Sequence, residues 1–197
     1  MQLNPSAILT RRHFTGCLLL CCALLVTGGP LLAKGGKFDV RSANTGLQDG
    51  VYYLAARVDL RLSDEALEAL ESGVELTVEM QIEVNRNRNL LPDNQVAELS
   101  QSYLLRYQPL SQRYLVKNVN SGEQSSHATL FAALSEIGRI STLPVIDEAL
   151  LKPKGRYEIR MRAVLDRNTL PGPLRLFVFW GDSFRLESEW YTWSLRD

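Results

Sequence analysis

The sequence is short of most of the groups that ready-made chemistry requires. Its 3 cysteines, Cys17, Cys21 and Cys22, all lie in the first 33 residues, and its 2 histidines are His13 and His127. If that N-terminal stretch is a leader, the remainder has no disulfide, no thiolate nucleophile and no cysteine ligand, and zinc or copper would find almost none of its usual donors. Charge of one sign is lacking too. The 22 basic residues balance 22 acidic ones, so the chain has no positive field with which to collect phosphates, and no nucleic-acid partner is expected. P-loop, Gly-x-Gly-x-x-Gly, Asp-x-Asp-x-Asp-Gly and Gly-x-Ser-x-Gly patterns do not occur. Nucleotides, EF-hand calcium and a nucleophile elbow therefore have no anchor, and no cofactor is expected.

A long hydrophobic run is also missing. Cys17 to Val26 is apolar but breaks at Gly28-Gly29-Pro30, roughly half the 20 residues or so that a membrane-spanning helix needs. Residues 1–33 contain no Asp or Glu, and Arg11 and Arg12 precede the run. By charge, length and order this is a signal peptide with cleavage expected after Ala33 and a periplasmic mature protein; an uncleaved anchor is the alternative. Thr10-Arg11-Arg12-His13-Phe14 resembles a twin-arginine signal, and Sec export stays open beside it. Removing 33 of 197 residues leaves 164, and losing two arginines leaves 20 basic against 22 acidic residues, a net charge of about −2. A chain of that size can be stabilised by its core alone, so residues 34–197 are expected to form one domain.

What is present is alternation. Val74, Leu76, Val78, Met80, Ile82 and Val84 interleave with Glu75, Thr77, Glu79, Gln81 and Glu83, the pattern of a half-buried antiparallel strand. Tyr52 to Leu62 repeats it, with Arg57, Asp59 and Arg61 on the other face. The Asp49-Gly50 dipeptide predicts a hairpin back to Phe38–Ala43. Ser63 is positioned to cap an acidic helix that Gly73 ends. Leu99–Tyr107 and Arg113–Val119 read as strands, and residues 85–94 as a turn-rich connection. Residues 125–139 read as a helix with Leu130, Phe131, Leu134 and Ile137 at helical spacing, and Val145–Leu151 as a second short helix. Strands follow at 157–165, 174–180 and 184–195, the last needing a bulge near Glu189 to reconcile its two apolar faces. These elements predict a mostly β protein: an antiparallel immunoglobulin-like β-sandwich of about eight strands with two or three short helices.

Several constellations bear on function. His127, beside Ser125 and Ser126 at the predicted helix start, is expected to be an exposed or capping residue. Glu79 and Glu83, four residues apart on one strand, stand roughly 13 Å apart, beyond glycosidase spacing. They are expected to pair across strands with Arg57, Arg61, Arg160 and Arg162. Two interaction candidates remain. The segment Arg86-Asn87-Arg88-Asn89-Leu90-Leu91 couples guanidinium groups to apolar side chains, a composition suited to protein contacts or anionic headgroups; Arg86, Arg88, Leu90 and Leu91 are the predicted partner-binding residues. The aromatic set Trp180, Phe184, Trp190, Tyr191 and Trp193 is expected to be mostly core, with one covered side able to take a partner strand.

The order of Asp59-Leu60-Arg61-Leu62-Ser63, the acidic helix, the strand 74–84 and Tyr103-Leu104-Leu105-Arg106-Tyr107-Gln108-Pro109 resembles domain-of-unknown-function family 4390, a family of exported bacterial proteins. Ile137-Gly138-Arg139-Ile140, Leu151-Lys152-Pro153, Leu170-Pro171-Gly172-Pro173-Leu174 and Trp190-Tyr191-Thr192-Trp193 extend the resemblance over about residues 38–196. It implies no activity, catalytic residue or ligand. It does imply a setting: genes of such proteins are often neighbours of the gene for a membrane sensor histidine kinase, which points to a periplasmic partner. The expectation is a non-enzymatic periplasmic protein-interaction module contacting a membrane or periplasmic protein, with peripheral membrane contact left open. The alternative is a carrier or chaperone-like sandwich holding a small apolar ligand.

Overall fold

The computed structural model describes residues 35–87, 94–166 and 186–195. The fold is mostly β. Strand β1 (Lys37–Gln48) turns into β2 (Val51–Arg61), with Asp49 at φ 50° and Gly50 at φ 81°. Two consecutive left-handed residues make the tight turn that matches strand twist, as the Asp-Gly pair predicts. The hairpin pairs Gln48 with Val51 and continues to Lys37 with Arg61, so β1 is longer than its expected Phe38–Ala43. Helix α1 (Asp64–Glu71) follows. Ser63 Oγ accepts the Ala66 N–H at 3.2 Å, Asp64 and Glu65 occupy the first turn, and Ala66 and Leu70 are buried.

The chain continues through β3 (Leu76–Asn87), β4 (Asn94–Gln108), β5 (Arg113–Asn118), β6 (Gln124–His127), α2 (Leu130–Ile137), β7 (Arg139–Asp147), a 3₁₀ turn (Glu148–Leu150), β8 (Arg156–Asp166) and β9 (Tyr191–Ser194). Two antiparallel sheets result, ordered β1-β2-β7 and β6-β5-β4-β3-β8-β9. Nine strands are present among the described residues, where about eight were expected.

The departures have physical causes. Ser125-Ser126-His127 is strand β6, not helix. Its residues are polar and carry no apolar period, and only pairing of Tyr114 with His127 and Val116 with Ser125 makes them a strand. Thr129 caps α2 instead, its Oγ1 accepting the Ala132 N–H at 3.2 Å. Val145, Ile146 and Asp147 belong to β7, and the predicted helix 145–151 shrinks to one 3₁₀ turn. Pro144 hides β7 from a sequence reading, and the sheet tolerates it because β7 is an edge strand with register shifts against β2. The apolar run 174–180 and Phe184 lie outside the described residues.

Both sheets and both helices contribute to one apolar cluster. Val78, Met80, Ile82 and Val84 of β3 and Ile159, Met161 and Ala163 of β8 are fully buried. Strand β3 lies between β4 and β8, so its apolar row has neighbours on both sides. Trp193 Nε1–H donates to Thr45 Oγ1 at 3.2 Å, joining β9 to β1. The parity problem at the C-terminus resolves as a bulge. Val164 sits opposite Glu187 and Met161 opposite Tyr191, three steps along β8 against four along the facing segment.

Candidate interaction surfaces

The face of the six-stranded sheet opposite the core carries a charged row. Arg160 Nε donates to Glu83 Oε2 at 2.7 Å and its Nη2 lies 2.6 Å from the same oxygen. Arg162 Nε donates to Gln81 Oε1 at 2.8 Å. Glu79 accepts from Ser100 and from Gln81. Arg160 is thus the cross-strand partner expected for Glu83. Arg57 and Arg61 are not partners of this row, because β2 belongs to the other sheet, a placement that alternation alone does not reveal. The extra residue of the bulge turns Trp190 to this face, where the guanidinium carbons of Arg160 and Arg162 lie 4.6 and 4.5 Å from its ring centre. Tyr191 and Trp193 pack half-buried against the core, as expected; Trp180 lies outside the described residues.

Arg86, the first predicted partner-binding residue, is not in a loop. It is in β3, opposite Asn94 and Tyr157, and half-buried. Arg88, Leu90 and Leu91 lie outside the described residues. Arg86 extends the ladder because strand pairing needs only backbone groups, which override the turn-like composition around it. Its aliphatic stem should therefore contribute packing, and Arg86→Ala is expected to cost about 1 kcal/mol, against the near-zero cost of a loop position. Denaturant melts decide; an unchanged midpoint would show that the strand end does not rely on Arg86.

A second cluster was not legible beforehand. Ser125 Oγ donates to Glu136 Oε1 at 2.6 Å and lies 3.0 Å from His127 Nε2, while Glu136 Oε2 lies 2.6 Å from that same nitrogen. A nucleophile relay places the acid on one ring nitrogen and the hydroxyl on the other. Here both converge on Nε2 and Glu136 engages both partners, so the arrangement clamps β6 to α2. Its sequence signal is the two-residue spacing of Ser125 and His127, which puts both on one side of a strand but not of a helix. Beside the clamp, a cavity of about 460 Å³ is lined by Tyr103, Asn118, Glu136 and Arg139 among others.

Burial pushes the Tyr103 hydroxyl above the usual tyrosine range, and the charge of Glu136 pushes it further. The fold holds Tyr103 neutral, so this contribution to stability is complete below the ordinary tyrosine range and is lost as pH rises through the residue's own raised value. Glu136→Gln should bring that value only part of the way down, since burial is the larger cause. Tyrosinate absorbance titration, with Tyr103→Phe as the reference, measures it. A full return to the ordinary range would mean that the charge, not burial, dominates.

An open apolar feature lies at the far end of β2. Phe131 of α2 is 81% exposed, although its spacing with Leu130, Leu134 and Ile137 reads as one buried face. It is one residue on from Leu130 and so turned by about 100° around the helix; Ala133, Leu134 and Ile137 fill the core instead. Phe131, Leu130, Leu67 and Leu60 border a groove of about 470 Å³. On its charged rim Arg41 bonds both Asp39, at 2.9 Å, and Asp59, at 2.6 Å.

Among the described residues no helix is long and apolar enough to cross a membrane, and no three His, Cys, Asp or Glu side chains group as metal ligands would. Neither a curated protein nor a solved structure matches the chain. The family model described as a domain of unknown function, DUF4390, matches residues 36–194, from the start of β1 to the end of β9, and the chain belongs to that family.

Proposed function

We propose that this chain is an exported, non-enzymatic protein-interaction module of the bacterial periplasm, an immunoglobulin-like antiparallel sandwich that contacts a membrane protein. The family setting makes a membrane sensor kinase the first partner to test. Export rests on the acid-free leader with its short apolar run and Gly28-Gly29-Pro30 break. The sandwich rests on two antiparallel sheets sharing one apolar cluster.

The observation that carries the interaction reading is Phe131. An aromatic side chain 81% exposed beside an apolar groove does nothing for folding, whereas aromatic anchors entering or lining pockets carry most binding energy at interfaces. The Arg86–Leu91 segment stays in the proposal as a second contact region. In vivo crosslinking followed by mass spectrometry, with the neighbouring gene present, tests the reading. The expected product is one membrane protein joined to this chain. Recovery of the chain alone, with a small apolar molecule bound in native mass spectrometry, would contradict it in favour of a carrier.

A further inference from the structure

We infer that the free edge of β2 beside α2 accepts an extended partner segment as an added strand, one that alternates apolar and acidic residues. This rests on the interaction-module reading and specifies how the partner is gripped. Strand β2 has a neighbour on both sides only from Val51 to Arg57; β1 continues beside it to Arg61, but β7 does not. The Val58 N–H bonds the carbonyl of Gly138 at 2.8 Å, so the backbone groups of Val58 face away from β1. Backbone direction in an antiparallel ladder repeats every second residue, which turns the N–H and C=O of Leu60 the same way. There they have no backbone partner among the described residues.

An open strand edge is a template for another strand. Proteins usually guard such edges with a proline, a bulge or an inward-pointing charge. Here the residue at the edge is the half-buried Leu60, and Phe131, Leu130 and Leu67 stand beside it. They supply a pocket for an apolar side chain of the incoming segment.

The rim supplies the charge preference. Lys37, Arg41 and Arg61 face Asp39 and Asp59, an excess of one positive charge. Arg41 engages both aspartates and Lys37 lies 3.6 Å from Asp39. Arg61 is exposed and forms no ion pair among the described residues. A carboxylate on the incoming strand would complete the row, because exposed complementary charges set orientation and association rate.

The test uses the full exported protein and three fluorescent peptides: short alternating leucine–glutamate, the same peptide with N-methylated amides, and a leucine–lysine version. Anisotropy should show binding of the first, weakening by about tenfold or more on N-methylation, and a charge preference that Arg61→Glu reverses. Phe131→Ser should weaken binding without moving the thermal midpoint. Hydrogen exchange of the Leu60 amide should slow when the peptide is bound. Equal binding of the N-methylated peptide, unchanged exchange at Leu60, or self-association that blocks the site would overturn the proposal. If cells carrying Phe131→Ser and Arg61→Glu still yield the crosslinked membrane protein, the groove assignment falls and the module reading stands. If the peptides behave as stated but no cellular partner is crosslinked, the module reading is the one that falls.

Discussion

Truncating Ile82 or Ile159 to alanine is expected to cost about 2–5 kcal/mol, the sum of lost transfer energy and an unfilled cavity. Both side chains are fully buried, on the neighbouring central strands β3 and β8, where Ile82 faces Met161 and Ile159 faces Val84 in register. Neighbours on either side leave little room for collapse, which places the cost towards the upper part of the range. Glu79→Ala, on the opposite face of β3, is expected to cost about 0–1 kcal/mol, since it loses only half-exposed hydrogen bonds. Denaturant melts of the three variants decide. Equal destabilisation would mean that the faces of β3 are reversed, because a one-residue slip moves every side chain to the other side.

Gly138→Ala should be damaging for so small a change. Its φ of −74° suits any residue, so the backbone itself imposes no strain. A methyl group there, however, would run into the carbonyl oxygen of Val58, with the Val58 carbonyl carbon at 3.2 Å and the Leu134 carbonyl oxygen at 3.3 Å. Neither is the yielding tip of a side chain, so α2 must lift from β2 and stretch the Val58–Gly138 hydrogen bond. Overpacking of this kind costs about 1–3 kcal/mol. Gly46→Ala, with open space around the added carbon, should stay within about 0.5 kcal/mol. If both alanine variants melt like the parent, α2 is not seated on β2 through Gly138.

The elements that could be read in advance are those whose side chains face the core in a strict period. The rows 78–84, 52–58 and 157–165 each present one buried side, so alternation and burial coincide. Asp49-Gly50 and Ser63 could be read because their roles depend on local backbone geometry alone. Strand β6 could not, since Ser125, Ser126 and His127 are held by pairing with β5 and not by burial. The bulge near Glu189 was demanded by the two aromatic faces, but only the pairings of Val164 and Met161 locate it.

The candidate site was less visible than the fold. Composition drew attention to Arg86, whose place in a ladder depends on partners 8 and 71 positions away, Asn94 and Tyr157. It passed over Phe131, because helical spacing says which residues share a side and not how far the neighbouring sheet reaches across it. The groove depends on β7 ending short of β1 along β2, a property of three strands together that no single segment encodes.

Photocrosslinking in living cells from position 131, compared with position 110, tests the central claim most directly. Leu110 is the fitting control, being 99% exposed in the turn between β4 and β5 and distant in sequence from the groove. The predicted result is a discrete adduct with a membrane protein from position 131, absent from position 110 and lost when Arg61→Glu is added. Adducts of equal yield from both positions, or none from position 131 while the chain remains folded in the cell, would contradict an interaction module that binds through this groove.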